Sequence, residues 1–215
     1  MNDQLTASEQ HELRILELVE EQDKVTQRRV AAELEVAIGM ANSLIKRLIH
    51  KGHIKIKEAP ASRYGYYLTP EGFLAKSRLV SKYIATSVKF FSVVRHDYEH
   101  IANELSRKGQ DKIGCAGSGE ILEIAQMVFQ SHNIRTVFVV DVLGHLNGQY
   151  FTSYSDVPEA DREQACCIVL TESQRPHRAF EIISSEAQTI PVMTPAFMKI
   201  SKSGFAHMAK EEGRR

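Results

Sequence analysis

Long apolar runs are missing from this 215-residue sequence, which has no stretch of about 18 or more consecutive apolar residues, the length that indicates a membrane-spanning helix. The first residues, MNDQLTASEQHELR, also lack the basic-then-apolar order of a secretory signal. These two absences predict a cytoplasmic protein that does not enter a membrane. With 43% apolar and 25% charged residues, the composition is that of an ordinary globular protein.

Cysteine is scarce as well. The three cysteines, Cys115, Cys166 and Cys167, are odd in number and irregular in spacing, which argues against a disulfide framework and against a zinc finger. Cys166 and Cys167 fall in an apolar run, ACCIVL, that predicts a strand, and neighbouring residues of a strand point to opposite faces. We therefore expect these two thiols to lie on opposite sides of a sheet and not to serve one site.

Recognisable catalytic and metal-binding groups are also missing. The sequence has no nucleophile with a base at a familiar spacing and no paired catalytic carboxylates, so we expect a protein that is not an enzyme. His96 and His100 are four residues apart on a predicted helix, but such a pair is more often a solvated face than a metal site. One enzymatic alternative stays open, an oxidoreductase or sugar-nucleotide enzyme whose N-terminal part only mediates assembly.

Net charge is zero, yet the charges are segregated along the chain. Residues 24–89 hold 13 Lys and Arg against 4 Asp and Glu, a surplus of 9, whereas residues 111–215 hold 10 against 13, a deficit of 3. A basic segment beside a slightly acidic one is typical of a protein that meets phosphates with one part only.

The apolar spacing predicts three helices in the first 52 residues. Thr6 and Glu9 form a capping box before a helix over 8–21, and Thr26 is a suitable N-cap for a second helix over 27–34. The run AIGMANSLIKRLIHKG then has apolar residues at three- and four-residue steps until Gly52 ends the third helix.

A hairpin and a long helix follow. HIKIKE alternates apolar and basic residues, APAS indicates a turn, and RYGYYL is rich in tyrosine, so these runs predict two paired strands. Thr69 and Pro70 open a helix whose apolar positions continue towards Leu105. Its length favours a connector that also pairs with a second subunit, although two helices with a break remain an alternative.

From Asp111 onwards the pattern changes to strand, glycine turn, helix and strand, followed by a second and looser unit of the same kind. We therefore predict a multi-domain α/β protein. Its parts are a winged helix-turn-helix over 1–69, a long linking and dimerisation helix over 70–108, and a small Rossmann-like parallel α/β domain over 109–215.

The outward face of the third helix predicts contact with double-stranded DNA. A helix in the major groove needs short or polar side chains near its N-terminus and basic ones a turn later. The predicted DNA-contacting set also includes two residues of the preceding helix and Arg63 at the hairpin tip, which could enter a minor groove. The full set is Gln27, Arg28, Met40, Asn42, Ser43, Lys46, Arg47 and Arg63. A helical protein-interaction domain with a solvated basic face is the alternative.

Residues 10–72 resemble the winged helix-turn-helix of MarR-type transcriptional regulators, on the strength of LIKRLIHKGHIKIKE followed by YYLTPEG. The resemblance covers about a third of the chain and implies a homodimer that binds pseudo-palindromic DNA. Members of that family normally end in dimerisation helices, whereas this sequence continues into an α/β domain. In architecture it is also similar to Rex-type redox repressors, which join a winged helix to an NADH-binding domain.

A glycine turn is the candidate effector site. Gly117, Ser118 and Gly119 precede a helix, and Asp141 ends the next strand, as in a dinucleotide-binding turn, but the third glycine position holds Leu122. Glu120, in the first helical turn, would repel a pyrophosphate or cap the helix itself. NAD(H), NADP(H) and nucleotide sugars are the candidate ligands. The alternative is a constitutive DNA-binding protein whose α/β domain only dimerises.

Overall fold

The computed structural model describes residues 5–21, 25–59, 63–144 and 150–200. Within these ranges the chain divides into two compact units, Met1–Phe90 and Phe91–Arg215, and each unit is described by itself. The division falls inside one long helix, which contributes its first half to one unit and its second half to the other. The three-part division predicted from the sequence stays a prediction.

The first unit begins with helix α1, Ala7–Glu21. The predicted capping box is present, because the Glu9 amide donates to Thr6 Oγ1 at 3.2 Å and the Thr6 amide donates to Glu9 Oε2 at 2.8 Å. Helix α2, Gln27–Glu33, is capped by Thr26, whose hydroxyl accepts from the Arg29 amide at 3.2 Å.

Helix α3, Ile38–His50, packs on α2 and α1 and ends before Gly52, whose φ of 75° a residue with a side chain rarely adopts. Apolar residues of the three helices share one core with Ile54 of the following strand. The fully buried members include Ile15, Leu16, Val30, Ala41 and Leu48.

The hairpin consists of β1, Ile54–Ala59, and β2, Arg63–Leu68, which pair antiparallel from Ile54 opposite Leu68 to Ala59 opposite Arg63. Helix α4 follows as one uninterrupted helix, Pro70–Arg107, so the alternative of two helices is wrong. Thr69 caps it, because its hydroxyl accepts from the Gly72 amide at 3.0 Å and donates to the Gly52 carbonyl at 2.6 Å.

The second unit contains a parallel sheet in the order β4-β3-β5-β6. The strands are β3, Lys112–Ala116; β4, Arg135–Val140; β5, Ile168–Leu170; and β6, Val192–Met193. Helices α5, Glu120–Ser131; α6, Glu159–Gln164; and α7, Pro176–Glu186 connect them, with short 3-10 turns at Tyr154–Asp156 and Ala196–Met198. The predicted α/β class with a parallel sheet is therefore present.

The core of the second unit includes the end of α4. Tyr98 is fully buried, its ring meets the Phe129 ring edge-on at 5.9 Å between centroids, and its hydroxyl donates to the Leu170 carbonyl at 2.9 Å. Burial raises the pKa of the Tyr98 hydroxyl well above its ordinary value, so this hydroxyl stays a donor at neutral pH.

One sequence prediction about this unit is wrong. Cys166 and Cys167 do not lie on opposite faces of a strand, because β5 begins only at Ile168 and both cysteines precede it. In this irregular stretch their sulfur atoms lie 3.9 Å apart.

Candidate nucleic-acid interface and glycine turn

Helix α3 has one buried face and one exposed face. Ala41, Leu44, Ile45 and Leu48 are at most 7% exposed and fill the core of the first unit. The remaining predicted DNA-contacting residues of this helix, apart from the half-buried Asn42, are exposed: Met40, Ser43, Lys46 and Arg47. A helix with this division can lay its outward side in a groove without losing its packing.

Two predicted contact residues lie side by side. Gln27, at the start of α2, donates from Nε2 to Asn42 Oδ1 of α3 at 3.2 Å, and both side chains are half-buried. The hydrogen bond fixes the Asn42 amide with its Nδ2 group still available to donate. The two amides therefore present a combined set of donors and acceptors on this surface.

Hydrogen bonds to neighbouring groups set the positions of two other outward residues. Arg47 Nη2 donates to Ser8 Oγ of α1 at 3.0 Å, which leaves the other guanidinium nitrogens for a phosphate. Ser43 Oγ donates back to the Gly39 carbonyl at 3.0 Å. Arg28 is exposed on α2. Arg63 is the first residue of β2, and its side chain lies outside the described residues.

A buried carboxylate that the sequence did not reveal holds the end of α3 in place. Glu12 of α1 is 7% exposed, and it accepts from Lys51 Nζ at 2.7 Å while its other oxygen lies 3.1 Å from His53 Nδ1. Lys51 and His53 flank the turn between α3 and β1. The contact therefore fixes both the end of α3 and the start of the hairpin against α1.

The glycine turn of the second unit is built from backbone contacts. Gly117 has a φ of 118°, and its amide donates to the Val140 carbonyl at 2.9 Å. A Cβ at this position would collide with the backbone of Thr171 and Glu172, so only glycine fits. Gly119, with a φ of 84°, has no atom within 4 Å of the place where a Cβ would stand, so the turn is open on that side.

The buried side chain of Asp141 holds the glycine turn by hydrogen bonds. Its carboxylate is 1% exposed, accepts from Ser118 Oγ at 3.0 Å and from the Gly144 amide at 3.1 Å, and thus ties the glycine turn to the end of β4. The structure brings Gly117, Ser118 and Asp141 together. Glu120 is exposed in the first turn of α5.

Glu172 is a second buried carboxylate at the same edge of the sheet, and sequence reasoning missed it. It is 1% exposed, and its Oε1 accepts from the amides of Gln174 at 2.6 Å and Arg175 at 3.1 Å. These bonds shape the loop that leads from β5 into α7. Its only sequence signal is a lone acid two residues after a buried strand, whereas Asp141 follows its strand directly.

The described ranges contain neither a metal-binding cluster nor a membrane-spanning helix. No group of three or more His, Cys, Asp or Glu there could hold a metal ion. Among the helices of those ranges, none has the length and apolar character needed to cross a membrane.

Comparisons with known proteins show a partial similarity to solved structures. No protein-family model matches the chain, and no curated protein matches it. Among solved structures, the chain is similar to MepR, a transcription regulator of the Staphylococcus aureus multidrug efflux pump MepA, at 23% identity and a TM-score of 0.36. The match covers 41% of this chain and 64% of that one, less than two thirds of its length.

Proposed function

We propose that this chain is a sequence-specific DNA-binding transcription regulator that acts as a homodimer in the cytoplasm. The observation that carries the proposal is the exposed face of α3, with Asn42 and Ser43 near the first turns and Lys46 and Arg47 after them. Polar side chains at the start of such a helix reach base edges, and basic ones reach phosphates. The β1–β2 hairpin directly follows α3, in the order that the proposed winged helix-turn-helix requires.

The basic charge of the segment after α1 supports the same function. The surplus of 9 positive charges over residues 24–89 belongs largely to the segment that contains α2, α3 and the hairpin. Neutralising phosphates releases counterions, so the affinity should fall steeply with salt, with a slope of about 0.9 for each phosphate contacted.

A homodimer is proposed because α4 exposes large apolar side chains. Eight of them on the described helix are 41–58% exposed: Phe73, Leu74, Tyr83, Ile84, Val88, Phe90, Phe91 and Val93. Apolar surface of this extent on a single helix is typical of a helix that pairs with another copy.

The second unit is proposed to bind a nucleotide-like or anionic effector at the glycine turn. The turn lies at the carboxyl ends of β3 and β5, where the strand order reverses, and α/β sheets bind ligands at such points. The internal hydrogen bonds of Asp141 support the alternative, in which this unit serves only as a dimerisation scaffold.

The DNA-binding proposal is tested by selecting duplexes from a random pool and measuring fluorescence anisotropy with the selected and a scrambled duplex. The double variant Lys46→Ala/Arg47→Ala should weaken binding to both duplexes and lower the salt slope by about 2. The double variant Arg107→Ala/Arg178→Ala removes the same charge from exposed positions of the second unit and should bind normally. Equal affinity of both double variants would remove α3 from the interface.

A further inference from the structure

The two adjacent cysteines that precede β5 form a site that the DNA-binding proposal does not use. The Cys166 amide donates to the Lys112 carbonyl and the Cys167 carbonyl accepts from the Gly114 amide, each at 2.9 Å, so the backbone of β3 holds both residues. The sulfur atoms lie 3.9 Å apart. Cys167 is 2% exposed, whereas Cys166 is half-buried and lines a cavity of about 560 Å³.

A disulfide fits this geometry poorly. Disulfides usually join residues whose Cα atoms are about 4.4–6.8 Å apart, but the Cα atoms of neighbours in a chain are only about 3.8 Å apart. The sulfurs would also have to approach from 3.9 Å to about 2.05 Å. An atom bound to both sulfurs needs a much smaller approach, since two bonds of about 2.3 Å that meet at an angle of about 95–110° span roughly 3.4–3.8 Å.

The number of ligands narrows the choice of bridging atom. A structural zinc ion needs four protein ligands, and no cluster of three or more His, Cys, Asp or Glu that could hold a metal occurs in the described part of the chain. Trivalent arsenic with one organic substituent needs only two sulfurs, because its third bond goes to its own substituent. The cavity beside Cys166 offers room for that group, against Ala165, Ile190 and Pro191 and near Arg162 and Gln188.

We propose that Cys166 and Cys167 are a binding site for a monosubstituted trivalent arsenical whose organic group enters this cavity. In the reaction, two arsenic–oxygen bonds of the dihydroxy arsenical break and two arsenic–sulfur bonds form. Each thiol proton leaves with a hydroxide as water, and no electrons are transferred. This thiol site does not depend on the proposed DNA binding.

The protonation of the Cys167 thiol also favours arsenic binding over oxidation. Burial, together with the neighbouring Cys166, raises the pKa of Cys167, so its proton is still present at neutral pH. Attack on a peroxide requires a thiolate, which burial disfavours here. An arsenic-bound hydroxide accepts the thiol proton as it leaves, so the protonated Cys167 thiol can react directly.

The test uses phenylarsine oxide and the full chain, followed by intact-mass measurement and titration of free thiols. The expected result is one adduct for each chain with the loss of two reactive thiols, stable to excess monothiol and reversed by a small dithiol. Because the second bond of a chelate forms intramolecularly, Cys166→Ala should weaken binding by about 100-fold or more. Cys167→Ala should do the same, and Cys115→Ala should bind as the parent does.

Folding of each variant is checked by its thermal transition. Cys166 is only half-buried, so its variant keeps the test valid if the buried Cys167 cannot be replaced. The proposal is overturned if Cys166→Ala binds the arsenical as tightly as the parent, or if the adduct consumes Cys115. It is equally overturned if monothiol removes the adduct from the parent chain, because the arsenic would then be held by one sulfur.

Discussion

The hydrogen bond between Gln27 and Asn42 joins a side chain of α2 to one on the outward face of α3. If Asn42 reads a base, Asn42→Ala should reduce discrimination at one base pair by about 1–3 kcal/mol. Gln27→Ala should affect the same base pair, because it releases the Asn42 amide, and the double variant should lose less than the sum of the two. Anisotropy with single-base-pair duplex variants measures all three effects.

The neighbouring Arg28 supplies the matched control for that experiment. It is exposed one residue further along α2, so Arg28→Ala should weaken binding to every duplex by a similar factor. If Gln27→Ala also acts uniformly on all duplexes, it contacts phosphate and does not position Asn42.

Glu9 gives a pH dependence with a defined sign. The Lys82 ammonium, at 2.8 Å, is the main cause that lowers the pKa of Glu9 from 4.5 to about 2, with help from the Thr6 amide. The charged form is therefore favoured in the folded state, so the stabilisation is complete above pH 4.5 and is lost as the pH falls towards 2. Glu9→Gln, which keeps the capping geometry, should lower the melting temperature at pH 7.

The difference between parent and Glu9→Gln should shrink as the pH is lowered and as salt is added, since the pair is open to solvent. Thermal melts over that pH range follow it. Glu21→Gln changes an exposed acid at the end of the same helix and should show the parent's pH dependence. A Glu9→Gln difference that is constant with pH would contradict the role of the ion pair.

Contacts between residues far apart along the chain could not be predicted from the sequence. The outward positions of α3 were predictable, because apolar spacing alone determines which side of a helix is buried. Glu12 was not, since its partners Lys51 and His53 are 39 and 41 residues away along the chain. Asp141 was predicted as a ligand group, but not that Ser118 and Gly144 would contact its carboxylate within the unit.

At the scale of elements, the exposed side of α4 makes the dimer testable. Phe73 and Ile84 are 52% and 55% exposed and lie eleven residues apart, about three helical turns, so they share one face. Phe73→Glu/Ile84→Glu places two carboxylates on that face and should convert the proposed dimer into a species of 24.3 kDa. Light scattering measures the mass directly.

Met127 offers the control, because it is 65% exposed on α5 and takes the same kind of substitution. Met127→Glu should leave the oligomeric state unchanged. A parent chain that is already monomeric at micromolar concentration would contradict the proposed dimer and, with it, a two-fold symmetric operator.

The starts of helices were predictable where a capping residue marks them in the sequence. Thr6, Thr26 and Thr69 cap helices whose starts the sequence placed within a residue or so. Strand β5 was expected to be longer, but it spans only Ile168–Leu170, because its length is set by pairing with β3 and β6. That non-local pairing is also why the proximity of the two adjacent thiols could not be predicted.

For the whole molecule, the effector hypothesis is tested by thermal shift with NADH, NADPH, nucleotide sugars and sugar phosphates. A ligand at 100 times its dissociation constant should stabilise the fold by about 2.7 kcal/mol. Glu120 is exposed at the start of α5, so Glu120→Gln should strengthen the binding of any anionic ligand at the glycine turn.

Glu123→Gln is the matched control, because it removes a second exposed acid from the same helical turn without touching the glycine turn. A smaller effect than that of Glu120→Gln is expected. If no compound shifts the melting temperature of the parent or of Glu120→Gln, the second unit acts as a dimerisation scaffold.

The backbone hydrogen bonds around Gly117 have a consequence for hydrogen exchange. The Ala116 carbonyl accepts from the amides of Thr171 and Glu172 at 2.7 and 3.1 Å, and the Gly117 amide donates to Val140. The Gly117 amide is released only when the end of β3 separates from β4, and the Thr171 and Glu172 amides only when it separates from the end of β5. Their exchange should therefore report the opening of the two central strand pairs, at the slow end of the range for this unit.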